Sequence, residues 1–326
     1  KFSLFMSCVM KGVILDFDTL AADDLQLSNL MQQLDDWAIY PSTTPEQLME
    51  RIADVEVVLS NKVKLNAETI KQNSQLKLIV AMATGTDHIA VAEATAQGIV
   101  VCNARAYSTA SVAQHTLTLM LALSTRLLDY HAAVQRGDWS KNNFFCLLDY
   151  PIQELAGKTL GLIGYGNLAK KVAAMAQAFD MEILIAESLT GRQNQTGRLP
   201  LNSLLAQADI VSLHCPLSEH TRNLIGAEQL ALMKPTALLI NTARGGIVDE
   251  QALAQALTAG TIAGAAMDVL ATEPPPADSI LLQKEIPNLI ITPHSAWASQ
   301  GSRQRLVDQL AAIISAFKKG HAIQSL

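Results

Sequence analysis

Short apolar runs alternate with longer helical patterns through most of this 326-residue chain, and this alternation restricts the possible folds more than any other feature. It is typical of parallel strands, which are buried on both faces and need a helical crossover to pair. The first third has expected strands at residues 13–17, 55–60, 76–81 and 99–103. A second series follows Gly157, with expected strands at residues 159–163, 182–186, 210–214, 237–242, 262–269 and 289–292. The sequence therefore predicts an α/β protein with two doubly wound parallel sheets.

Helical patterns fill the intervals between these runs. They lie near residues 24–35, 45–53, 66–73, 169–179 and 250–259. A further pattern runs from Thr109 to Gly137, which is too long for a simple crossover. We expect this pattern to join two domains or to pack against another subunit.

The length of the chain favours two domains, because single cores rarely grow much larger than about 250 residues. The amphipathic pattern at residues 302–319 follows the last expected strand and is expected to return to the first domain. We therefore predict a discontinuous domain made of residues 1–108 and 295–326, and a second domain made of residues 109–294.

The composition argues against several classes of function. The net charge is −6 with both signs mixed along the chain, and no basic patch interleaved with aromatic residues indicates nucleic-acid binding. No uninterrupted apolar segment is long enough to predict a membrane span. The apolar stretch from Phe2 to Leu15 lacks a small-residue cleavage site, and Met10 resembles a natural start, so a signal peptide is not expected. Scattered cysteines without a CxxC pair favour a reduced, cytoplasmic protein, and they are Cys8, Cys102, Cys146 and Cys215.

A glycine-rich turn follows the first strand of the second series. The segment Gly164-Tyr165-Gly166-Asn167-Leu168-Ala169 has the pattern GxGxxA and stands at the start of a helical pattern. Gly164 allows a tight turn, and Gly166 lets the backbone approach a pyrophosphate at the positive helix N-terminus. Ala169 replaces the more usual third glycine, which helix–strand packing tolerates. The turn predicts a dinucleotide site that includes Asn167 and Leu168.

An acidic residue, Glu187, ends the next expected strand about twenty residues after the turn. A carboxylate at this position accepts hydrogen bonds from the adenosine ribose and repels a 2′-phosphate. The sequence therefore favours NAD, with NADP as the less favoured cofactor. Ser188 and Arg192 follow closely and weaken that preference.

Three segments near the C-terminal end each carry one charged or titratable side chain after an expected strand. They contribute Arg244, Glu273 and His294. In parallel α/β sheets the carboxyl ends of the strands are where ligands bind, so these side chains are expected to meet there. Each alone has an ordinary alternative: a surface ion pair for the arginine, a turn residue for the histidine and a solvated helix end for the glutamate.

Together, the three side chains suit the reduction of a 2-keto acid, which builds negative charge on the carbonyl oxygen. His294 is the candidate proton donor, because an imidazole titrates near neutral pH. Glu273 is expected to bind the far ring nitrogen and so fix the tautomer. The planar guanidinium of Arg244 can bind the substrate carboxylate and carbonyl. Gly245 and Gly246 are expected to leave room for the substrate and the nicotinamide.

The whole pattern resembles the D-isomer-specific 2-hydroxyacid dehydrogenase family, over about residues 13–317. The segments that carry the resemblance are Ala83-Thr84-Gly85-Thr86-Asp87, residues 161–169, His214-Cys215-Pro216-Leu217, residues 241–250, residues 268–274 and Pro293-His294-Ser295-Ala296-Trp297. It implies a Rossmann nucleotide-binding domain and a flavodoxin-like substrate domain with a cleft between them. It further implies homodimers that pair through the nucleotide domain.

The resemblance also assigns roles to individual residues. Arg244, Glu273 and His294 correspond to the substrate-binding arginine, the glutamate that polarises the histidine and the acid–base histidine. Asp268 would face the nicotinamide amide. Further cofactor contacts are implied for His294, Cys215, Thr242 and Ala243, and substrate contacts for the backbone of Thr84, Gly85 and Thr86 and for Tyr107.

Residues 106–115 and the segment around His294 resemble the glycerate dehydrogenase (hydroxypyruvate reductase) branch of the family. The predicted reaction is the NAD(H)-dependent reduction of hydroxypyruvate or glyoxylate to D-glycerate or glycolate, and its reverse. One alternative is a D-lactate or other D-2-hydroxyacid dehydrogenase. Another, of a different class, is a binding protein that senses NADH in the manner of a corepressor. His88 stands where Asn is commoner, and His115 is expected to be packed or to face the cofactor.

Overall fold

In the computed structural model, residues 10–189, 196–283 and 286–326 are described. The predictions that concern residues 1–9, including Cys8, and the one that concerns Arg192 lie outside these residues. The chain divides into two compact units. The first comprises the described residues up to Ser108 together with Ala298–Leu326, and the second comprises those of Thr109–Trp297.

Each unit contains one parallel sheet. The strands are β1 (Lys11–Ile14), β2 (Asp36–Ile39), β3 (Val57–Ser60), β4 (Leu78–Ala81), β5 (Val100–Asn103), β6 (Thr159–Ile163), β7 (Glu182–Ile185), β8 (Ile210–Leu213), β9 (Leu238–Asn241), β10 (Gly264–Met267) and β11 (Leu289–Ile291).

Helices connect most of these strands. The α-helices are α1 (Ser28–Met31), α2 (Pro45–Ile52), α3 (Ala67–Lys71), α4 (Val91–Ala96), α5 (Thr109–Ser124), α6 (Leu127–Gln135), α7 (Asn167–Gln177), α8 (Leu201–Gln207), α9 (Ala227–Leu232), α10 (Glu250–Thr258) and α11 (Gln300–Lys318). Short 3₁₀ helices occupy Phe17–Leu20, Ala22–Asp24, Trp139–Lys141 and Ile280–Leu282.

The sheet of the first unit has the order β2-β1-β3-β4-β5, which is the flavodoxin-like order. Its strands are parallel, with Val13 opposite both Ala38 and Val58. The core on one face of this sheet joins alternate strand residues to helices α2, α3 and α4, through side chains such as Leu48, Ile52 and Ile70. Helix α11 contacts β4 and α1.

The sheet of the second unit has the order β7-β6-β8-β9-β10-β11, so it repeats the strand order of the first sheet and adds one strand. Alternate residues of β6 enter two different cores. Leu160 and Leu162 pack with α5 and α7, whereas Ile163 packs with α8, α9 and α10. Helices therefore cover both faces, and the prediction of two doubly wound parallel sheets is confirmed.

Two local predictions were wrong. Strand β2 was not predicted, because its residues are partly exposed at the edge of the sheet and form no apolar run. The helix expected at residues 24–35 is reduced to the four residues of α1, preceded by two 3₁₀ turns. Ala21, which separates the two 3₁₀ turns, has a left-handed φ of 45°.

The long helical pattern at residues 109–137 is two helices rather than one. Arg126 has a φ of 53° and separates α5 from α6. Helix α5 packs against α7, β9 and β10 inside the second unit, and its side chains Leu117 and Met120 are buried. Helix α6 instead exposes apolar side chains, including Leu127 and Leu128.

Two general features of the described residues bear on function. None of their helices combines the length and the apolar character that crossing a membrane requires. The cysteines among them, Cys102, Cys146 and Cys215, are free. The cytoplasmic location stays a prediction.

Candidate active site

The glycine-rich turn lies between β6 and α7, as predicted. Gly164 has a φ of 88°, and a Cβ at this position would lie 2.7 Å from the backbone carbonyl of His214. The turn therefore presses against the chain that follows the neighbouring strand β8. A side chain at Gly164 is excluded both by the backbone conformation and by this contact.

The beginning of α7 offers space and donors for a pyrophosphate. Gly166 is the N-cap, and a Cβ built on it meets nothing within 4 Å. Asn167, the first residue of the helix, is exposed, and Leu168 is half-buried. The first N–H groups of a helix have no intrahelical acceptors and carry the positive end of its dipole. These residues fit a dinucleotide.

The predicted ribose-binding carboxylate, Glu187, follows β7 and is half-buried. Its backbone N–H donates to the carbonyl of Leu199, which brings the chain near Arg198 back beside the end of β7. The guanidinium of Arg198 lies over the ring of Tyr165 in the glycine-rich turn, 5.9 Å from the ring centroid. Sequence reasoning missed this cation, because it stands far along the chain from the turn.

His294 and Glu273 form a close pair. Nδ1 of His294 lies 2.6 Å from Oε2 of Glu273, and both side chains are about a third exposed, at 29% and 32%. The other carboxylate oxygen of Glu273 accepts the backbone N–H of Leu270 at 2.9 Å. That bond fixes the orientation of the Glu273 carboxylate. The carboxylate in turn fixes the orientation of the His294 ring. The predicted orienting contact is thus present in the geometry.

The backbone of His294 is in the left-handed region, with a φ of 51°. This conformation costs a residue with a side chain roughly 1–2 kcal/mol, so surrounding contacts must hold it. The N–H of His294 donates to the carbonyl oxygens of Asp268 at 2.8 Å and of Thr292 at 2.9 Å. The strand ends of β10 and β11 therefore define where the imidazole stands.

The carboxylate of Asp268, directly after β10, binds the same turn. Only 2% of this residue is exposed. Its Oδ1 accepts the hydroxyl of Thr292 at 2.6 Å and the N–H of Ser295 at 2.9 Å, and its Oδ2 accepts the N–H of Ala296 at 3.1 Å. Asp268 thus organises the turn of His294, and its contact with a nicotinamide amide stays a prediction.

Arg244 stands on the loop after β9, and its Nη1 donates to the carbonyl of Ala243 at 2.7 Å. The side chain of Asn241 braces this loop, since it donates to the carbonyl of Arg244 and accepts the N–H of Ala243. A Cβ on Gly245 would lie only 1.8 Å from the carbonyl oxygen of Leu270. The arginine loop therefore touches the loop that leads to Glu273.

This contact gives a different explanation of why a glycine stands at position 245. The sequence suggested that Gly245 leaves room for substrate and nicotinamide, whereas the structure shows that it admits the backbone of Leu270. Gly246 has a φ of 75°, which glycine adopts without strain. Its Cβ would find no atom closer than 3.6 Å, so its need is conformational.

Helix α5 contributes three side chains to the site, of which the sequence suggested only His115, as a packed or cofactor-facing residue. The hydroxyl of Ser111 donates to the carbonyl of Ala296 at 2.6 Å, and Nε2 of His115 lies 3.0 Å from Oγ1 of Thr292. The hydroxyl of Thr116 lies 3.0 Å from that of Thr242. The helix therefore contacts both the turn of His294 and the strand end that precedes Arg244. The spacing of Ser111 and His115, four residues apart, was the available signal.

The remaining cofactor candidates of the second unit lie at strand ends and are mostly buried. Thr242 is 7% exposed, and Ala243 and Cys215 are each 8% exposed. Burial raises the pKa of the Cys215 thiol to about 11, so it is a thiol rather than a thiolate at neutral pH. These three residues are buried at the strand ends that would line a cofactor site. Their contacts with the cofactor stay predictions.

The predicted substrate residues of the first unit follow β4 and β5. Thr84 is exposed, and Gly85 and Thr86 are half-buried. The side chain of Asn103 donates to the carbonyl of Thr84 at 2.7 Å and so holds this loop. Tyr107 is 5% exposed, and its carbonyl accepts from Arg305.

Comparison with known proteins decides the family. The model of the D-isomer specific 2-hydroxyacid dehydrogenase NAD binding domain matches residues 117–296, more than half of the chain. The chain belongs to this family. It is therefore an oxidoreductase of the 2-hydroxyacid dehydrogenase type, and the second unit contains its NAD binding domain. The family predicted from the sequence is confirmed.

Individual members of the 2-hydroxyacid dehydrogenase family match over most of the chain. A glycerate dehydrogenase of Methylorubrum extorquens is 49% identical over 282 residues, which cover 86% of this chain and 88% of the relative. A hydroxypyruvate reductase of Blautia hydrogenotrophica is 35% identical and covers 96% of this chain and 98% of its own. A solved acyclic imino acid reductase in complex with NADPH and D-Arg superposes with a TM-score of 0.84 at 26% identity, covering 97% of this chain and 100% of that chain.

Proposed function

We propose that this dehydrogenase reduces hydroxypyruvate or glyoxylate to D-glycerate or glycolate with NADH, and catalyses the reverse reactions. The observation that carries the proposal is the 2.6 Å contact between His294 and Glu273. The loop that leads to Glu273 also packs against the loop of Arg244. The names of the glycerate dehydrogenase and hydroxypyruvate reductase relatives support the choice of substrate.

His294 is the proposed acid–base residue. Glu273 binds Nδ1, so Nε2 is the ring nitrogen that exchanges a proton with the substrate oxygen. During reduction the imidazolium donates this proton to the carbonyl oxygen, and during oxidation the neutral imidazole removes it from the hydroxyl. Glu273 keeps the tautomer constant through both directions.

Arg244 is the proposed binding group for the carboxylate and carbonyl oxygens of the substrate. A guanidinium has a planar fork that matches two oxygens, and its charge offsets the charge that builds on the carbonyl oxygen. For the first unit we retain the prediction that backbone N–H groups of Thr84, Gly85 and Thr86 bind the substrate carboxylate and that Tyr107 contributes to substrate binding.

NADH is the proposed cofactor. A bound nicotinamide cofactor supplies or accepts the hydride. The N-terminus of α7 would hold its pyrophosphate, and Glu187 would bind the adenosine ribose and disfavour a 2′-phosphate. Asp268 would face the nicotinamide amide, and Cys215, Thr242 and Ala243 would line the cofactor. We expect NADH to give a kcat/KM at least about tenfold above that of NADPH, and equal values would contradict this assignment.

The experiment that tests the reaction follows NADH oxidation with hydroxypyruvate, glyoxylate and pyruvate. We expect hydroxypyruvate or glyoxylate to have the highest kcat/KM. Faster turnover of pyruvate would favour a D-lactate dehydrogenase instead. No turnover with any keto acid would contradict the proposed reaction and favour an NADH-sensing binding protein.

A His294→Ala variant tests the acid–base role. We expect kcat to fall by about 10²–10⁴, because general acid–base catalysis contributes that much. NADH binding, measured by fluorescence, should change little, since the side chain acts on the substrate oxygen. The control is His321→Ala, which removes an exposed histidine of the first unit. Loss of NADH binding in His294→Ala would contradict the assigned role.

The assembly proposed is a homodimer formed through the second unit. Its support is a set of exposed apolar side chains on α6 and the following segment, namely Leu127, Leu128, Val134, Trp139, Phe144, Phe145, Leu148 and Ile152. Phe145 is 91% exposed, and large apolar patches of this kind mark association surfaces. Light scattering should give twice the chain mass. Phe145→Asp should reduce the measured mass, whereas the control Phe179→Asp, at an exposed position just after α7, should not.

A further inference from the structure

The ring of His115 lies where helix α5 meets the end of β11. Its Nε2 is 3.0 Å from Oγ1 of Thr292 and 3.5 Å from Oδ1 of Asp268. The side chain is 22% exposed, whereas that of Asp268 is 1% exposed. The imidazole therefore covers a buried carboxylate and a hydroxyl that both contact the turn of His294.

The hydrogen atoms of this cluster can be assigned from its donors and acceptors. An ionised carboxylate only accepts, and a hydroxyl has one hydrogen to donate. Thr292 lies 2.6 Å from Oδ1 of Asp268, so its hydrogen points to that oxygen. The contact between Thr292 and His115 then requires a proton on Nε2 of the imidazole. His115 is the donor, and Thr292 relays its orientation to Asp268.

The carboxylate of Asp268, the last member of this series of hydrogen bonds, holds the turn of His294 in place. Its two oxygens accept the N–H groups of Ser295 and Ala296, and the Asp268 carbonyl accepts that of His294. His294 has a left-handed backbone that its own side chain disfavours, so the turn depends on these acceptors. Rotation of the carboxylate would release the two residues that follow the imidazole.

We propose that His115 is a positioning residue for His294, acting through Thr292 and Asp268, and that it raises the catalytic rate without touching the substrate. The proposal rests on the proposed acid–base role of His294. Helix α5 supports it at a second point, because Ser111 donates to the carbonyl of Ala296 at 2.6 Å. The helix thus holds the turn before and after His294.

Two variants of His115 separate positioning from packing. His115→Leu removes the donor, and His115→Gln keeps an N–H at a similar distance from the backbone. We expect His115→Leu to lower kcat about tenfold, as for the loss of one orienting hydrogen bond. The KM for the keto acid and the dissociation constant for NADH should stay within about twofold of wild type. His115→Gln should recover most of kcat.

A matched control and a direct probe of the turn accompany these variants. Gln114→Leu changes an exposed side chain of the same helix and should leave kcat unchanged. Hydrogen exchange of the N–H groups of Ser295 and Ala296, measured without cofactor, should be faster in His115→Leu than in Gln114→Leu. This measurement reports the turn independently of turnover.

A double-mutant cycle tests the relay. If His115 acts through the hydroxyl of Thr292, the kcat losses of His115→Leu and Thr292→Val should be strongly non-additive. Additive losses, or a wild-type kcat in His115→Leu, would overturn the proposal. If instead His294→Ala retained full activity with hydroxypyruvate, the proposed function itself would fail, so the two failures are distinguishable.

Discussion

Both units of this protein use a buried aspartate at a strand end to bind the loop that follows a neighbouring strand. In the first unit Asp16, after β1, accepts the N–H groups of Asn61 and Lys62, which follow β3. In the second unit Asp268, after β10, accepts those of Ser295 and Ala296, which follow β11. The two residues are 3% and 2% exposed.

The difference lies in what each loop carries. The loop bound by Asp16 has none of the predicted catalytic residues, whereas the one bound by Asp268 has His294 at its start. Asp268 also accepts the hydroxyl of Thr292 and lies 3.5 Å from His115. The same arrangement thus holds a loop without predicted catalytic residues in one unit and the loop of the proposed acid–base residue His294 in the other.

The largest expected effect comes from replacing each aspartate with asparagine. Asp268→Asn should lower kcat about 100-fold, because the turn of His294 loses a charged acceptor and catalytic geometry tolerates little displacement. Asp16→Asn should lower the unfolding free energy by about 1–3 kcal/mol and leave kcat within about twofold. Steady-state kinetics and urea unfolding of both variants measure this. A similar fall in kcat for both would remove the distinction between the units.

A second pair of variants compares two crowded glycines. A Cβ on Gly245 would meet the backbone of Leu270, whereas one on Gly12 would meet the side chains of Leu34 and Trp37. Gly245→Ala should therefore displace the arginine loop and lower kcat/KM about 30-fold. Gly12→Ala should act mainly on stability, because side chains move more readily than backbone. Kinetics and thermal unfolding separate the outcomes, and unchanged kinetics in Gly245→Ala would contradict the loop contact.

The smallest expected effect compares two histidines, one in each unit, whose pKa is lowered by burial. Burial lowers the pKa of His214 to about 4 and also lowers the pKa of His88. As the pH falls below about 6.5, the imidazole is protonated in the unfolded state but stays neutral in the folded state. The unfolding free energy therefore decreases down to about pH 4. For His214 this predicts a loss of about 2 kcal/mol between pH 7 and pH 5.

Urea unfolding at the two pH values checks this prediction. His214→Gln should flatten the dependence, because a glutamine does not titrate, and His88→Gln should flatten it less. The second unit would then govern acid sensitivity. An unchanged slope in His214→Gln would show that other groups are responsible.

The sequence predicted the positions of the candidate site residues because parallel strands place their carboxyl ends at one edge. That rule brought Arg244, Glu273 and His294 to the loops after β9, β10 and β11 without any knowledge of contacts. It also located the turn after β6, since a glycine pattern reports a backbone requirement directly. Strand β2 was not predicted because a partly exposed edge strand needs no apolar run.

The contacts that hold the loops of these side chains in place could not be predicted. His115 and Thr292 are 177 positions apart, and no local pattern reports a hydrogen bond over that distance. The need for Gly245 likewise depends on Leu270, which belongs to another loop. Local patterns predict where a strand ends, whereas the packing of loops against one another depends on the complete fold.

The hydrogen bond between Ser111 and Ala296 joins residues close to the first and last positions of the second unit, Thr109 and Trp297. The unit therefore begins and ends at nearly the same point in space. A segment with this property can be inserted into a surface connection of a host domain without stretching it. The second unit therefore has the geometry of an inserted domain, because the host chain has to accommodate only one closely spaced pair of ends.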